Sequence, residues 1–240
     1  MDVSCAVLLP VFGGMIYQNV MRRLTGVVLL ISLFSADLCA QKTWVDEGVS
    51  ITRLDTLIEG FEALRGAFLI ENSSTYEVMN RILDVDAYDW VEGESTSKML
   101  HVDPTDSSFT FDFFVRIPWL FIKKTGRVKV NVFSKGQTLY TRSEQIRDYE
   151  WDDAYDQVDF YSAQWKLQQQ GRHVKVTYLG VYQDQKMIIN LNGIIISRIR
   201  KRLNSTFQNL REITTGSTSP ATSLQWPDSP LALKKAKPEK

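Results

Sequence analysis

Two histidines, His101 and His173, and two cysteines, Cys5 and Cys39, are the only imidazole and thiol groups in the chain. A tetrahedral zinc site needs several such groups converging on one point, and with both cysteines in the first forty residues that arrangement is excluded. The densest acidic stretch, Glu150, Asp152, Asp153, Asp156 and Asp159, offers carboxylates of the kind that hold calcium. It lacks the glycine and the spacing of an EF-hand loop and reads as a solvated loop. Asp84, Asp86 and Asp89 read as a helix end and turn. No G-x-S-x-G elbow and no glycine-rich phosphate loop is present. Acid–base chemistry is left to Asp112, Arg116, Glu144 and Tyr178 on strand-like segments, which can serve a substrate only from inside a cavity. Lys123 and Lys124, with Arg127 nearby, suit a solvated turn or a lipid head group. The remaining set is aromatic: Trp90, Phe111, Phe113, Trp119, Trp165 and Tyr178. Singly such residues are core; together they suit the wall of an apolar pocket with few polar groups.

The elements that must position these residues follow from hydrophobic periodicity. Trp44–Leu54 and Phe61–Glu71 are strand-like and can pair as an opening hairpin. Ser74-Thr75-Tyr76-Glu77 is a capping box, starting a short helix whose apolar face is Tyr76, Met79, Ile82 and Leu83. Phe109, Phe111, Phe113, Val115 and Ile117 then alternate with Thr110, Asp112 and Arg116, a period of two. Val128, Val130 and Val132 repeat the pattern, and Leu139–Ile146 is a further strand. Tyr161, Ala163, Trp165 and Leu167 lead through a turn at Gln170-Gly171 into Val174, Val176 and Tyr178, a second hairpin. Between these lies Arg147–Asp159, expected as a long solvated hairpin loop. The last element is helical: apolar residues at Ile188, Leu191, Ile195, Ile199, Leu203, Phe207, Leu210 and Ile213 recur every 3.6 residues or so. Arg198, Arg200, Lys201, Arg202 and Arg211 occupy the other side and are assigned to water. Asn190, Asn192 and Gly193 are poor helix formers, so the regular helix is expected from Ile194, with a hinge before it.

Lys+Arg and Asp+Glu both number 28, so no net field draws the protein to nucleic acid. At 240 residues and 44 % hydrophobic content, one domain with appendages is expected. Residues 1–40 read as an export signal: Arg22 and Arg23 precede the apolar run Leu24–Phe34, and a short stretch ends at Ala40. A membrane anchor is the competing reading, but the run is shorter than the roughly 20 apolar residues a bilayer needs. Cleavage near Ala40 removes both cysteines, which suits a periplasmic or secreted protein without disulfides. Residues 41–213 form the folded domain, and 214–240, rich in Ser, Thr, Pro and Lys, read as a disordered tail.

A curved antiparallel sheet gripping one long helix is the α+β architecture these elements allow. The order of segments WVDEGVSITRL, FLIENSSTYEVMNRILDVDAYDW, FFVRIPW, YSAQWKLQQQGRHVKVTYLG and NGIIISRIRKRLNSTFQNLREI resembles the START-like branch of the SRPBCC (Bet v 1-like) helix-grip superfamily, of the exported bacterial type. The resemblance implies a cavity between sheet and C-terminal helix that holds a lipid or other hydrophobic small molecule, with no cofactor, no metal and no catalysis. Trp90, Phe111, Phe113, Trp119, Trp165 and Tyr178, with Ile195, Ile199 and Leu203 from the helix, are its expected lining. A monomer that contacts membranes transiently and binds no nucleic acid is the expected working form. A cyclase- or hydratase-like enzyme of the same superfamily is the alternative, and an interaction module using the loop Tyr149–Tyr155 a third.

Overall fold

The computed structural model describes residues 40–56, 61–93, 95–117, 122–151, 154–183, 192–216 and 223–225. Ten strands form one sheet: β1 (Ala40–Asp46), β2 (Val49–Leu54), β3 (Phe61–Ile70), β4 (Ser95–Asp103), β5 (Ser108–Ile117), β6 (Ile122–Lys135), β7 (Thr138–Ile146), β8 (Asp156–Gln157), β9 (Phe160–Gln170) and β10 (His173–Gln183). Two α-helices, α1 (Thr75–Leu83) and α2 (Asn192–Thr214), and a 3-10 helix, Val85–Trp90, complete the described elements. The spatial order is β1-β2-β3-β10-β9-β7-β6-β5-β4, antiparallel throughout, while the short β8 pairs in parallel with β6. The chain therefore lays three strands at one edge, crosses by way of α1 to the far edge, and returns by hairpins until β10 closes against β3.

Three sequence readings change. Trp44–Leu54 is not one strand but two, reversing at Glu47 and Gly48, both with positive φ. Glycine adopts that conformation without strain, which fixes the turn there. Tyr76 is exposed, because the buried face of α1 runs through Thr75, Val78, Met79 and Ile82. The Ser74 cap forms as its spacing implies, the hydroxyl accepting from the Glu77 amide at 3.2 Å. The loop Arg147–Asp159 is only partly solvated. Tyr149 covers the Arg127 guanidinium at 4.3 Å, Tyr155 meets the ring of Phe114 at 5.2 Å, and β8 hydrogen-bonds to Lys124 and Thr125. Its aromatic residues had apolar surface to bury against the outer face of the sheet. The segment 1–39 and the residues 184–191, where a hinge was expected, lie outside the described residues, as does most of the tail. Ser223 and Gln225 bond to Asn80 of α1, and Leu224 packs on the core.

α2 begins at Asn192 and carries its own seating device. Phe207 is fully buried and stacks on Phe68 at 5.1 Å, with its edge or face toward Trp165 and Tyr178. It enters the sheet above Gly66: a Cβ built on Gly66 would lie 2.2 Å from Cε2 of Phe207. No real atoms approach so closely, so the glycine is the hole into which the ring fits. Cations assigned to water serve as tethers instead. Arg211 donates to the carbonyl of Glu47 at 2.7 Å, and Arg200 sits 5.1 Å from the ring centre of Trp44. Ile213, by contrast, is exposed.

Replacing Gly66 by alanine is expected to cost about 1–3 kcal/mol from overpacking, and Phe207→Ala about 3–5 kcal/mol. Because the two act at one contact, the double variant should lose less than the sum. Guanidinium unfolding measures all three, and a neutral Gly66→Ala removes the hole-and-ring account.

Candidate functional site

Between sheet and helix lies a cavity of about 300 Å³, room for about ten waters at their liquid volume. The strand alternation read from the sequence builds its walls. β5 supplies Phe109, Phe111, Phe113 and Val115; β9 and β10 supply Tyr161, Trp165 and Tyr178; α2 closes it with Ile199, Leu203 and Phe207. Seven of the nine residues expected from sequence are therefore together: Trp90, Phe111, Phe113, Trp165, Tyr178, Ile199 and Leu203. Trp119 lies outside the described residues, and so does the side chain of Ile195. Sequence reasoning missed Tyr88 and Tyr161, although Tyr161 shared the inward face of its strand, and it missed Thr141 and Ser143 on β7.

The aromatic residues contact one another as a row. Trp165 stands opposite Thr141 on β7 and opposite Tyr178 on β10. Its ring is 4.8 Å from that of Tyr178 and 6.4 Å from that of Trp90, in tilted and edge-on geometries that aromatic quadrupoles favour. Tyr88 meets Trp90 edge-on at 5.1 Å and donates to the carbonyl of Ile82. Gly180 is needed here: a Cβ on it would lie 2.6 Å from the Tyr178 hydroxyl, so the phenol lies along its own strand over a residue without a side chain.

The helix is held over this cavity by polar bonds to one short segment. Asn209 donates to the carbonyl of Trp90 at 3.0 Å, Thr206 accepts from the amide of Glu92 at 3.0 Å, and Arg202 donates to the carbonyl of Glu92. Asn204 adds a bond to Asp46 at 3.0 Å on the other side. Arg202, expected in water, thus lines the cavity, and among the described residues it is the one charged side chain that does so. Its guanidinium lies on Gly93, whose φ of +96° and lack of Cβ make the contact possible.

The acid–base candidates separate. Asp112 lies between the inward Phe111 and Phe113 and so faces outward, where it pairs with Arg127 at 2.8 Å. Arg116 shares its strand face, and Glu144, one residue from the inward Ser143, pairs with Arg142 at 2.7 Å. Only Tyr178 reaches the cavity, so the four do not form one site. No group of three or more metal-ligating side chains occurs among the described residues. A larger surface groove of about 1020 Å³ runs along β3 and the end of α2, where the charged Glu47, Glu71, Lys175, Arg211 and Glu212 stand beside Ala67, Phe68 and Leu69.

A curved antiparallel sheet closed by a single C-terminal helix over an apolar cavity is the helix-grip fold, and this chain has it in the form seen in START-related lipid transfer domains. No protein-family model and no curated protein matches the sequence. Solved structures do. A STAR-related lipid transfer protein from Xanthomonas axonopodis superposes with a TM-score of 0.61 at 16 % identity, covering 72 % of this chain and 97 % of that one. Human StAR-related lipid transfer protein 5 gives 0.62 at 14 % identity, covering 82 % and 97 %. The lipid transfer and protein localization domain of human StarD13 gives 0.59 at 8 % identity, covering 86 % and 100 %.

Burial raises the hydroxyls of Tyr88, Tyr161, Tyr178 and Tyr182 above their ordinary value of 10.0, with the neighbouring Tyr178 hydroxyl partly offsetting the rise at Tyr161. Since the folded values exceed the unfolded ones, these groups contribute stability that is intact below about pH 10 and is lost as pH rises beyond it. In an alkaline titration followed by tyrosinate absorbance, four of the nine tyrosines should ionise only with unfolding. Simultaneous titration of all nine in the folded protein contradicts the enclosure described.

Proposed function

We propose that the protein is a non-enzymatic carrier that holds a lipid or other hydrophobic small molecule between the sheet and α2. The observation that carries this reading is the cavity itself: lined by aromatic and aliphatic side chains from the sheet, α1, the 3-10 helix and α2, with Arg202 its one charged residue among those described. Apolar burial contributes about 25 cal/mol per Å², so such a wall binds an apolar molecule without many polar contacts. The shared fold with lipid transfer domains supports the same reading. Extraction of the purified protein with organic solvent, followed by mass spectrometry, should return a bound lipid. Protein stripped of it should bind a neutral fluorescent hydrocarbon such as diphenylhexatriene, and Leu203→Trp, which fills the cavity from the helix, should weaken that binding at least about tenfold. Protein that is always recovered empty and ignores the probe, with the variant no different, excludes the reading.

The carrier works, in this proposal, outside the cytoplasm as a monomer that meets membranes transiently. Arg22 and Arg23 before the run Leu24–Phe34 support the export step. When the full chain is expressed, N-terminal sequencing of the exported form should begin at Gln41; a full-length product held in the cytoplasm refutes that step.

A further inference from the structure

Beyond α2, which ends at Thr214, residues Ser223–Gln225 of the tail lie on Asn80 in the second half of α1. The Asn80 side chain donates from Nδ2 to the carbonyl of Ser223 at 3.3 Å and accepts from the amide of Gln225 at 2.9 Å. These two groups flank Leu224, and they are the pair that a residue of a parallel strand would engage, so the Asn80 amide takes the place of a strand residue. Leu224 itself packs against the core. Main-chain bonds with one apolar anchor are the means by which an extended peptide is held on a protein surface. α1 has only nine residues, fewer than the roughly 12–15 at which an isolated helix is even marginal, so it depends on such ties. Its first turn has two of them: the Ser74 cap, and the Thr75 amide donating to Gln169 Oε1 at 3.0 Å. Its second half carries Ile82, whose side chain lines the cavity and whose carbonyl accepts from Tyr88.

We propose that Ser223–Gln225 is a latch: docked on Asn80 of its own chain, it fastens the second half of α1 and thereby keeps Ile82 and Tyr88 in the cavity wall. Its effect on ligand exchange rests on the carrier reading above, whereas its hold on α1 does not. The contact is read through the main chain, so the side chain of Gln225 is dispensable and its N–H is not. Releasing the latch breaks two hydrogen bonds in exposed positions and lifts one half-buried leucine, which is little enough to occur while the sheet stays folded.

Hydrogen exchange of the α1 amides in the full chain tests the latch. Gln225→Pro removes the N–H and should speed exchange in the second half of α1 about tenfold, the value of one net hydrogen bond, while Gln225→Ala should leave it unchanged. Asn80→Ala should speed it at least as much, although alanine is the better helix former, so helix propensity is not the cause. The amides of β9 and β10 should keep their wild-type protection in all three variants, which shows that they are folded. Bound diphenylhexatriene should leave Gln225→Pro about tenfold faster than it leaves the wild type. Unchanged α1 exchange in Gln225→Pro or Asn80→Ala, or equal acceleration by Gln225→Ala, overturns the latch. Faster α1 exchange with unchanged probe release overturns its control of the cavity. Failure of every form to bind the probe overturns the carrier reading and that control with it, while the exchange rates still decide the hold on α1. Protection of α1 that falls on dilution, with a dimer in native mass spectrometry, assigns the tail to a second copy and overturns the latch within one chain.

Discussion

The ring of Phe207 resting in the gap left by Gly66 is the contact on which the rest of the structure depends. It sets how closely the helix approaches the sheet, and it does so from one end of α2. There Phe207 and Leu210 are packed without exposed surface. One and two turns earlier, Leu203 and Ile199 keep accessible surface and line the cavity together with Phe207. A rigid helix seated deeply at one end over a curved sheet cannot follow that curvature along its length, so a cavity is left beneath its other half. The polar bonds to Glu47, Trp90 and Glu92 then hold the helix on both flanks without filling the space below it.

The same alternation that makes the strands also sorts the charges. Each inward residue has outward neighbours, and the ion pairs Asp112–Arg127, Lys129–Asp106 and Arg142–Glu144 all stand on outward positions of β5, β6 and β7 or beside them. Ionised groups keep their hydration there, whereas inside they would need partners that the aromatic wall lacks. Apart from Arg202 on α2, the described lining of the cavity is uncharged, and it includes tyrosine hydroxyls whose ionisation burial suppresses. A site of this kind is suited to recognition by shape and by a few hydrogen bonds.

The strands and the helix were legible because two periods, 2.0 and 3.6, are written directly in the order of residues. Phe109–Val115, Val128–Val132 and Tyr161–Leu167 all have the inward faces their patterns imply. Other features escaped because they depend on partners distant in the chain. Arg200, Arg202 and Arg211 look like solvent-facing cations on a helical wheel, yet each has an aromatic ring or a carbonyl to meet. The aromatic loop after β7 looked solvated because its acids are visible in sequence, while the outer sheet surface that receives Tyr149 and Tyr155 is not.

The sequence by itself determined which residues share a face, that the interior would be apolar and aromatic, and that neither a G-x-S-x-G elbow nor a glycine-rich phosphate loop is present. Local periodicity and residue chemistry are sufficient for those statements. The tertiary structure alone decided that Gly66 stands under Phe207, that Gly180 makes room for the Tyr178 hydroxyl, and that the space left over is a cavity between sheet and helix. These are matters of register and of contact between strands and helix far apart in the chain, and no local pattern encodes the distance between them.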